Sequence, residues 1–362
     1  MTNESLTEFI QNVSGEDHLR VQDDLGSGFV RLRAAEAQRR QAKQDIRSFE
    51  DVVIELLRNS RDAHARCLFA ATWCNQGKRF LTLLDDGDGI PEAMHETVFE
   101  PFVTSKLDTF HSDRWGVHGR GMALYSIRQN VSEAKVLESQ PGLGSIFWVE
   151  NDIAKLGEKR DQSTSPSISK GEDGKPVLRG PHNILRTVLE FAIDERNTIA
   201  VYLGSPSEIV STLYWLGQRV ADKLSGIFDS DASELPYVQQ FGACLDASEL
   251  AELSERFGFP LSSRSAYRIM KGEIEPLPTH LEAILGKKSS SASCPIKHKN
   301  PSKNASSIRF SSNDLAEFQN RVADSYQPLA QAYYLNPEVQ ISVKKNGSEL
   351  LVRIPIEKAS GN

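Results

Sequence analysis

Four short patches in the first 150 residues hold the residue types that chemistry needs. In the run from Glu55 to Ala63, Glu55, Asn59 and Asp62 stand at i, i+4 and i+7. That spacing puts two carboxylates and an amide on one face of a helix, opposite Val52, Leu56 and Leu57. Such a face is either ordinary solvated surface or a site. In the second patch an apolar strand, Leu83-Leu84, runs directly into Asp85-Asp86-Gly87-Asp88-Gly89. Acids and glycines suit a strand-end turn. They equally suit a backbone brought close to a planar ligand with one carboxylate aimed at it. The third patch is Phe99-Glu100-Pro101-Phe102-Val103-Thr104-Ser105-Lys106. The fourth runs from Gly116 to Ile127 and places Gly119 and Gly121 just before a helix. Glycines there let backbone N–H groups converge on phosphate oxygens, aided by the helix dipole. The chain contains no G-x-x-x-x-G-K-[ST], which excludes a P-loop nucleotide site.

The elements that must position these patches are legible from periodicity and turn residues. A helical stretch is expected over Phe29–Ile46, carrying Arg31, Arg33, Arg39, Arg40 and Lys43, and a stronger one over Phe49–Ala65. Cys67–Trp73, Arg79–Leu84 and Ile146–Glu150 read as strands, and Gly121–Gln129 as a helix start. This uneven alternation predicts an α+β sandwich rather than regular βαβ winding. Two Ser- and Lys-rich stretches, 157–182 and 287–307, read as linkers. They divide the chain into blocks at 1–156, 183–286 and 308–362. The middle block, expected to be a mixed α/β domain, starts with a helix bearing Ile184, Val188 and Phe191. A strand at Thr198–Leu203 follows. Ser205-Pro206-Ser207-Glu208 then forms a capping box that opens a helix with Ile209, Leu213, Leu216 and Val220. The last block reads as a helix near Asp314–Tyr334 and a hairpin of Val339–Lys344 and Leu350–Ile356 about Asn346-Gly347.

Composition narrows the class. With 362 residues, 39% hydrophobic and 25% charged, the chain has ordinary globular make-up for two or three domains. A net charge of −7 argues against a bulk binder of nucleic acid or anionic membrane. No apolar run reaches the roughly 20 residues that span a bilayer, and the first twenty residues do not resemble a secretory signal. Cys67, Cys74, Cys244 and Cys294 are scattered without a CxxC pair, against a zinc site or disulfide framework. A cytoplasmic location with reduced thiols is expected.

In order and spacing, the four patches resemble the GHKL superfamily of ATPases, which includes gyrase, the 90-kDa heat-shock chaperones, histidine kinases and MutL-type proteins. Glu55 to Ala63 resembles its N box. Asp85-Asp86-Gly87-Asp88-Gly89 matches the D-x-G-x-G of its first glycine box, and Gly119-Arg120-Gly121-Met122-Ala123-Leu124 resembles its second. Gly142-Leu143-Gly144-Ser145-Ile146-Phe147 resembles the closing G-x-G-[ST]-x-F. The resemblance covers about residues 45–150. It implies a Bergerat-type α/β sandwich binding ATP with Mg²⁺. Phe99 to Phe102 with Thr104 and Lys106 looks like the histidine kinases. Glu55, Asp62 and Arg120 to Ile127 look like the MutL and gyrase branch.

By that resemblance Asn59 would hold Mg²⁺ through its side-chain oxygen, and Asp85 would accept a hydrogen bond from the adenine amino group. Gly87 and Gly89 would let the base approach, with Ser145 near its edge. Gly119 and Gly121 would present N–H groups to the phosphates, beside Arg120 and Met122. Lys106 would meet the γ-phosphate, with Thr104 and Asp62 also in the nucleotide site. The stretch from Ser105 to His118 would be a lid. Glu55, one helical turn from the metal ligand, would orient and deprotonate the attacking water.

The reaction itself stays open between three classes. Hydrolysis with lid closure, driving a conformational or partner-binding switch, is the first. Phosphotransfer to a partner protein is the second; His18, the only histidine before Asn59, lacks the acid that follows the kinase acceptor histidine. A non-catalytic nucleotide switch or DNA-associated regulator is the third. Leu250–Pro276 loosely resembles a helix-turn-helix, but its connection is long and its charge nearly balanced, so a helical hairpin packed within the middle domain is the competing reading. A protein partner through the middle block, and a homodimer, are consistent with all three. Two basic stretches, Arg31–Arg47 and Lys287–Lys303, could dock an acidic partner.

Overall fold

The computed structural model describes residues 21–32, 44–105, 111–113, 116–118, 121–159, 161–170, 176–223, 235–285 and 312–358, apart from 334, 338, 340, 347, 348 and 357. The chain opens with a hairpin, β1 (Val21–Gly26) and β2 (Phe29–Leu32). Helix α1 (Phe49–Asp62) follows, then β3 (Cys67–Asn75), β4 (Lys78–Asp85) and the short β5 (Val103–Thr104). A two-stranded ribbon, β6 (His111–Asp113) and β7 (Gly116–His118), leads to α2 (Ala123–Asn130), β8 (Glu133–Gln140) and β9 (Gly144–Asp152). A second ribbon, β10 (Ser167–Lys170) and β11 (Pro176–Arg179), precedes α3 (Ile184–Asp194), β12 (Ala200–Gly204) and α4 (Pro206–Lys223). The remaining elements are α5 (Tyr237–Gln240), α6 (Ala247–Arg256), α7 (Ser263–Met270), α8 (His280–Leu285), α9 (Ser312–Ala332), β13 (Ser342–Asn346) and β14 (Glu349–Arg353).

The five-stranded central sheet has the order β12-β3-β4-β9-β8. β12 lies parallel to β3, and the other neighbours are antiparallel. Because side chains alternate along a strand, the sheet is apolar on both faces. Leu68, Ala70, Leu81, Leu83, Phe147 and Val149 face a layer built from α1 and α3 (Phe49, Val52, Leu56, Val188, Phe191). Phe69, Ala71, Leu84, Ile146 and Tyr202 face the opposite way, against Leu213 of α4, Phe241, Leu250, Phe257, Phe259 and Ile269. The expected mixed α/β character holds, with a helical layer on either side of the sheet.

Residues 183–286, read from sequence as a block of their own, share this sheet. β12 is its edge strand, with Tyr202 stacked on Phe69 at 4.9 Å. The helices α4 to α7 bury its second face. The stretch expected as a linker is tied down at its start. Phe49 N–H donates to the Gly157 carbonyl (3.1 Å), and Arg79 Nη2 donates to Glu158 (2.9 Å). The buried Glu50 carboxylate accepts from Lys159 N–H (3.1 Å). A buried carboxylate needs such partners, and here they lock residues 157–159 onto the start of α1.

The helix expected over Phe29–Ile46 is corrected at its start. Phe29–Leu32 is a strand, because the Gly26-Ser27-Gly28 turn, with positive φ throughout, reverses the chain. Phe29 then enters the main core while Val30 and Leu32 turn the other way, toward Phe102 and Met122. Arg33, Arg39, Arg40 and Lys43 of the expected helical stretch lie outside the described residues.

The pair α6–α7 is a hairpin on the back of the sheet. Its connection buries Phe257 and Phe259 completely, and Thr82 of β4 donates its hydroxyl to the Gly258 carbonyl. A C-terminal helix and hairpin form, with Tyr326, Ala330 and Ile341 as a small shared core; the hairpin strands are shorter than read, Ser342–Asn346 and Glu349–Arg353, and Asn346 pairs with Glu349 as the last residue of its strand. No helix among the described residues is long and apolar enough to cross a membrane. Cys67, Cys74 and Cys244 form no disulfide among the described residues, and burial pushes the pKa of the Cys244 thiol up to about 12.

Candidate functional site

The site forms where the C-terminal part of α1 meets the C-terminal end of β4. At the start of helix α1 the Asp51 carboxylate accepts from the Ser48 N–H at 3.0 Å, and Glu50 and Asp51 in the first turn favour the helix dipole. The helix carries Glu55, Asn59 and Asp62 in line, and all three are half-buried. Glu55 is held by Arg58, whose Nη1 donates to Oε1 at 2.6 Å. Asp62 pairs with Arg61 at 3.1 Å. Asn59 presents a buried side-chain Nδ2 that has no hydrogen-bond acceptor among the described residues. An amide can turn either end to a ligand: its oxygen to a cation, its NH₂ to a phosphate oxygen.

Asp85, the last residue of β4, is 1% exposed. Burying a carboxylate is costly without partners. Two are visible: Ser60 Oγ donates to Oδ2 at 2.7 Å, and Gly87 N–H donates to Oδ1 at 2.9 Å. Ser60 is the residue after Asn59, so the helix position expected to hold the cation and the strand end expected to meet the base sit at one junction. The loop after β4 is stitched to the same helix end, with Asp88 N–H donating to the Ala63 carbonyl at 2.8 Å. Asp86 turns aside and accepts from the N–H groups of Arg66 and Cys67, both at 2.7 Å, fixing the start of β3.

Gly89 is required by geometry. Its φ is +78°, and an added Cβ would lie 1.9 Å from the Gln140 carbonyl oxygen. The loop therefore passes hard against the β8–β9 turn. Ser145 stands directly opposite Asp85 in the β4–β9 ladder and is itself buried.

Gly121 and Met122 lie at the start of α2. Gly121, at φ +65°, accepts at its carbonyl from Phe102 N–H (2.9 Å), and its missing Cβ would meet the Val103 carbonyl at 2.6 Å. Met122 packs on Val30, Leu32 and Phe102. Thr104 is buried on β5, paired with Val30. Lys106, Gly119 and Arg120 lie outside the described residues, as does part of the expected lid.

The structure thus brings Asn59, Asp85, Gly87, Gly89 and Ser145 to one junction, with Gly121, Met122 and Thr104 around the start of α2. Sequence reasoning passed over Ser60 and Ser139. The signal for Ser60 was its place between Asn59 and Asp62 on a helix facing a strand that ends in a carboxylate. Among the described residues no three His, Cys, Asp or Glu side chains are grouped to hold a metal ion. A cation at Asn59 would complete its shell with phosphate oxygens and water, the usual habit of Mg²⁺.

Comparison with known proteins points the same way. The family model for histidine kinase-, DNA gyrase B-, and HSP90-like ATPases matches residues 44–155. The chain is 42% identical over 148 residues to the DNA mismatch repair protein MutL of Thermus thermophilus, covering 39% of this chain and 27% of that protein. It is 42% identical over 151 residues to MutL of Thermus aquaticus, covering 39% and 28%. It is 39% identical over 75 residues to the sensor histidine kinase AruS of Pseudomonas aeruginosa, covering 20% and 7%. The chain therefore spans little more than a quarter of the MutL proteins it matches. Residues 44–155 are an ATPase domain of the GHKL superfamily.

Proposed function

From that membership of residues 44–155 we propose that the junction of α1 and β4 binds ATP with Mg²⁺ and that the protein hydrolyses it, with closure over the nucleotide altering how the chain meets a partner. The observation that carries this reading is Asp85. It is a fully buried carboxylate, anchored by Ser60 and Gly87 and opposed by Ser145, at the end of a strand beside a loop that only glycine can thread. A carboxylate can only accept, so it selects a base edge that donates, as the adenine amino group does.

Asn59 supplies the amide for the cation, and its unpartnered Nδ2 supports a polar ligand at that place. When bound, the magnesium ion would neutralise phosphate charge and orient the phosphates for in-line displacement. Glu55, one turn along α1, is the candidate for holding the attacking water and taking its proton. Its contact with Arg58 fixes the carboxylate in place. Gly121 offers an N–H group at the start of α2 for phosphate oxygens, the role that the sequence also gives Gly119. Lys106 is proposed to meet the γ-phosphate, with Thr104, Arg120 and Met122 in the same nucleotide site.

A second reading, phosphotransfer to a partner protein, is favoured by the likeness of residues 99–106 to histidine kinases and by the AruS match. The test is turnover of labelled Mg-ATP by the full chain. Release of free phosphate supports hydrolysis. Acid-labile phosphate on added protein supports the second reading. Absence of any nucleotide binding in a calorimetric titration would overturn both.

A further inference from the structure

We infer that Ser139 orients the Ser145 hydroxyl as a hydrogen-bond acceptor and thereby sets the base selectivity of the nucleotide site. This rests on the ATP-binding reading above and adds a positioning residue to it. Asp85, Ser145 and Ser139 form a row across three neighbouring strands, since Ser145 is the register partner of Asp85 on β4 and of Ser139 on β8. All three lie on the sheet face that also carries Leu83 and Phe147 toward α1. Each is 3% exposed or less.

A serine hydroxyl has one proton to give and two lone pairs to accept with. Around Ser139 Oγ the three partners fill that inventory. The Gly144 carbonyl, 3.0 Å away, can only accept, so it takes the proton. The Ile90 N–H, 2.6 Å away, can only donate, so it takes one lone pair. The third partner is Ser145 Oγ at 2.9 Å, and only a lone pair is left for it. Ser145 must therefore donate to Ser139. With its proton spent there, Ser145 offers only lone pairs to anything on its other side. Asp85, a carboxylate, also offers only lone pairs. Two acceptors side by side welcome a 6-amino purine and repel a 6-oxo purine, whose oxygen would face both without a hydrogen.

The experiment is titration of the 362-residue chain with Mg-ATP and Mg-GTP, for wild type, Ser139→Ala, Ser139→Thr and Ser139→Cys, with the melting temperature of each recorded. In Ser139→Ala the Ser145 proton is freed to turn toward a 6-oxo group. The ATP-to-GTP affinity ratio should then fall by about five- to tenfold, the worth of one redirected neutral hydrogen bond. Ser139→Thr, which keeps the hydroxyl, should keep the ratio. Ser139→Cys keeps the volume and weakens both bonds, and serves in the same way if the alanine variant does not fold. A merely structural serine would lower affinity for both nucleotides together. A ratio within twofold of wild type in folded Ser139→Ala or Ser139→Cys protein overturns the inference while leaving the ATP site intact. Failure of wild type to bind ATP overturns the site reading and the inference with it.

Discussion

Ser60 Oγ donates to Asp85 Oδ2 at 2.7 Å, across 25 residues of sequence. This contact fastens the helix that carries Asn59 to the strand that ends in the buried carboxylate. Neither partner is free to reposition alone, so the distance between the expected metal and base positions is set by the sandwich and not by a loop.

Asp85→Asn tests the base contact. An amide keeps the size but exposes NH₂ where only lone pairs stood. Hydrogen bonds to charged groups contribute about 1.5–3 kcal/mol, so ATP affinity should fall roughly ten- to hundredfold. A calorimetric titration measures it, and a loss smaller than threefold removes Asp85 from this role.

Glu55→Gln tests the water-activating role. It keeps a side chain able to accept from Arg58, whereas Glu55→Ala takes one partner from a guanidinium that is only 4% exposed. Nucleotide binding should persist while turnover falls by roughly 10²- to 10⁴-fold, the usual contribution of a general base. Phosphate release continuing at the parent rate would assign the step elsewhere.

His280 gives the fold a pH dependence away from the site. Its Nε2 bonds the Leu185 carbonyl at 2.8 Å, joining α8 to α3. Burial lowers its pKa from the ordinary 6.5, against a smaller raising effect of that bond. The folded state then binds the proton less readily than the unfolded one. The stability His280 contributes is whole above about pH 6.5 and is lost as pH falls toward the lowered folded value. Urea midpoints should drop between pH 7.5 and 5.5 more steeply in wild type than in His280→Gln. Parallel slopes would show that other groups govern the trend.

Much of the site was legible because its residue types are constrained locally. Asn59 and Asp62 follow helical spacing, and Asp85, Gly87 and Gly89 mark a strand end. What escaped depends on long-range partners. Ser139 takes its meaning from Ile90, Gly144 and Ser145, which meet only in the folded sheet. β8 alternates polar and apolar residues weakly, with Glu133, Lys135 and Glu138 on it, and did not read as a strand. β12 did read as a strand, but a parallel pairing leaves no turn signal to announce its partner, so its block seemed separate. β2 was misread because its four residues are too short a run for periodicity to separate a strand from the helical stretch expected over Phe29–Ile46.

The pairing of β12 with β3 also imposes an order of events on synthesis. Cys67 and Ala200 are register partners about 130 residues apart. At the ribosome's pace of roughly 5–20 residues per second, the outer rim of β3 waits several seconds for its mate, with Leu68 and Phe69 without their final cover. A nascent chain halted before residue 200 would carry the nucleotide motifs complete and yet display a bare sticky border. Newly made protein should lean on holdase chaperones during that interval, and fragments ending near residue 155 should be prone to clump.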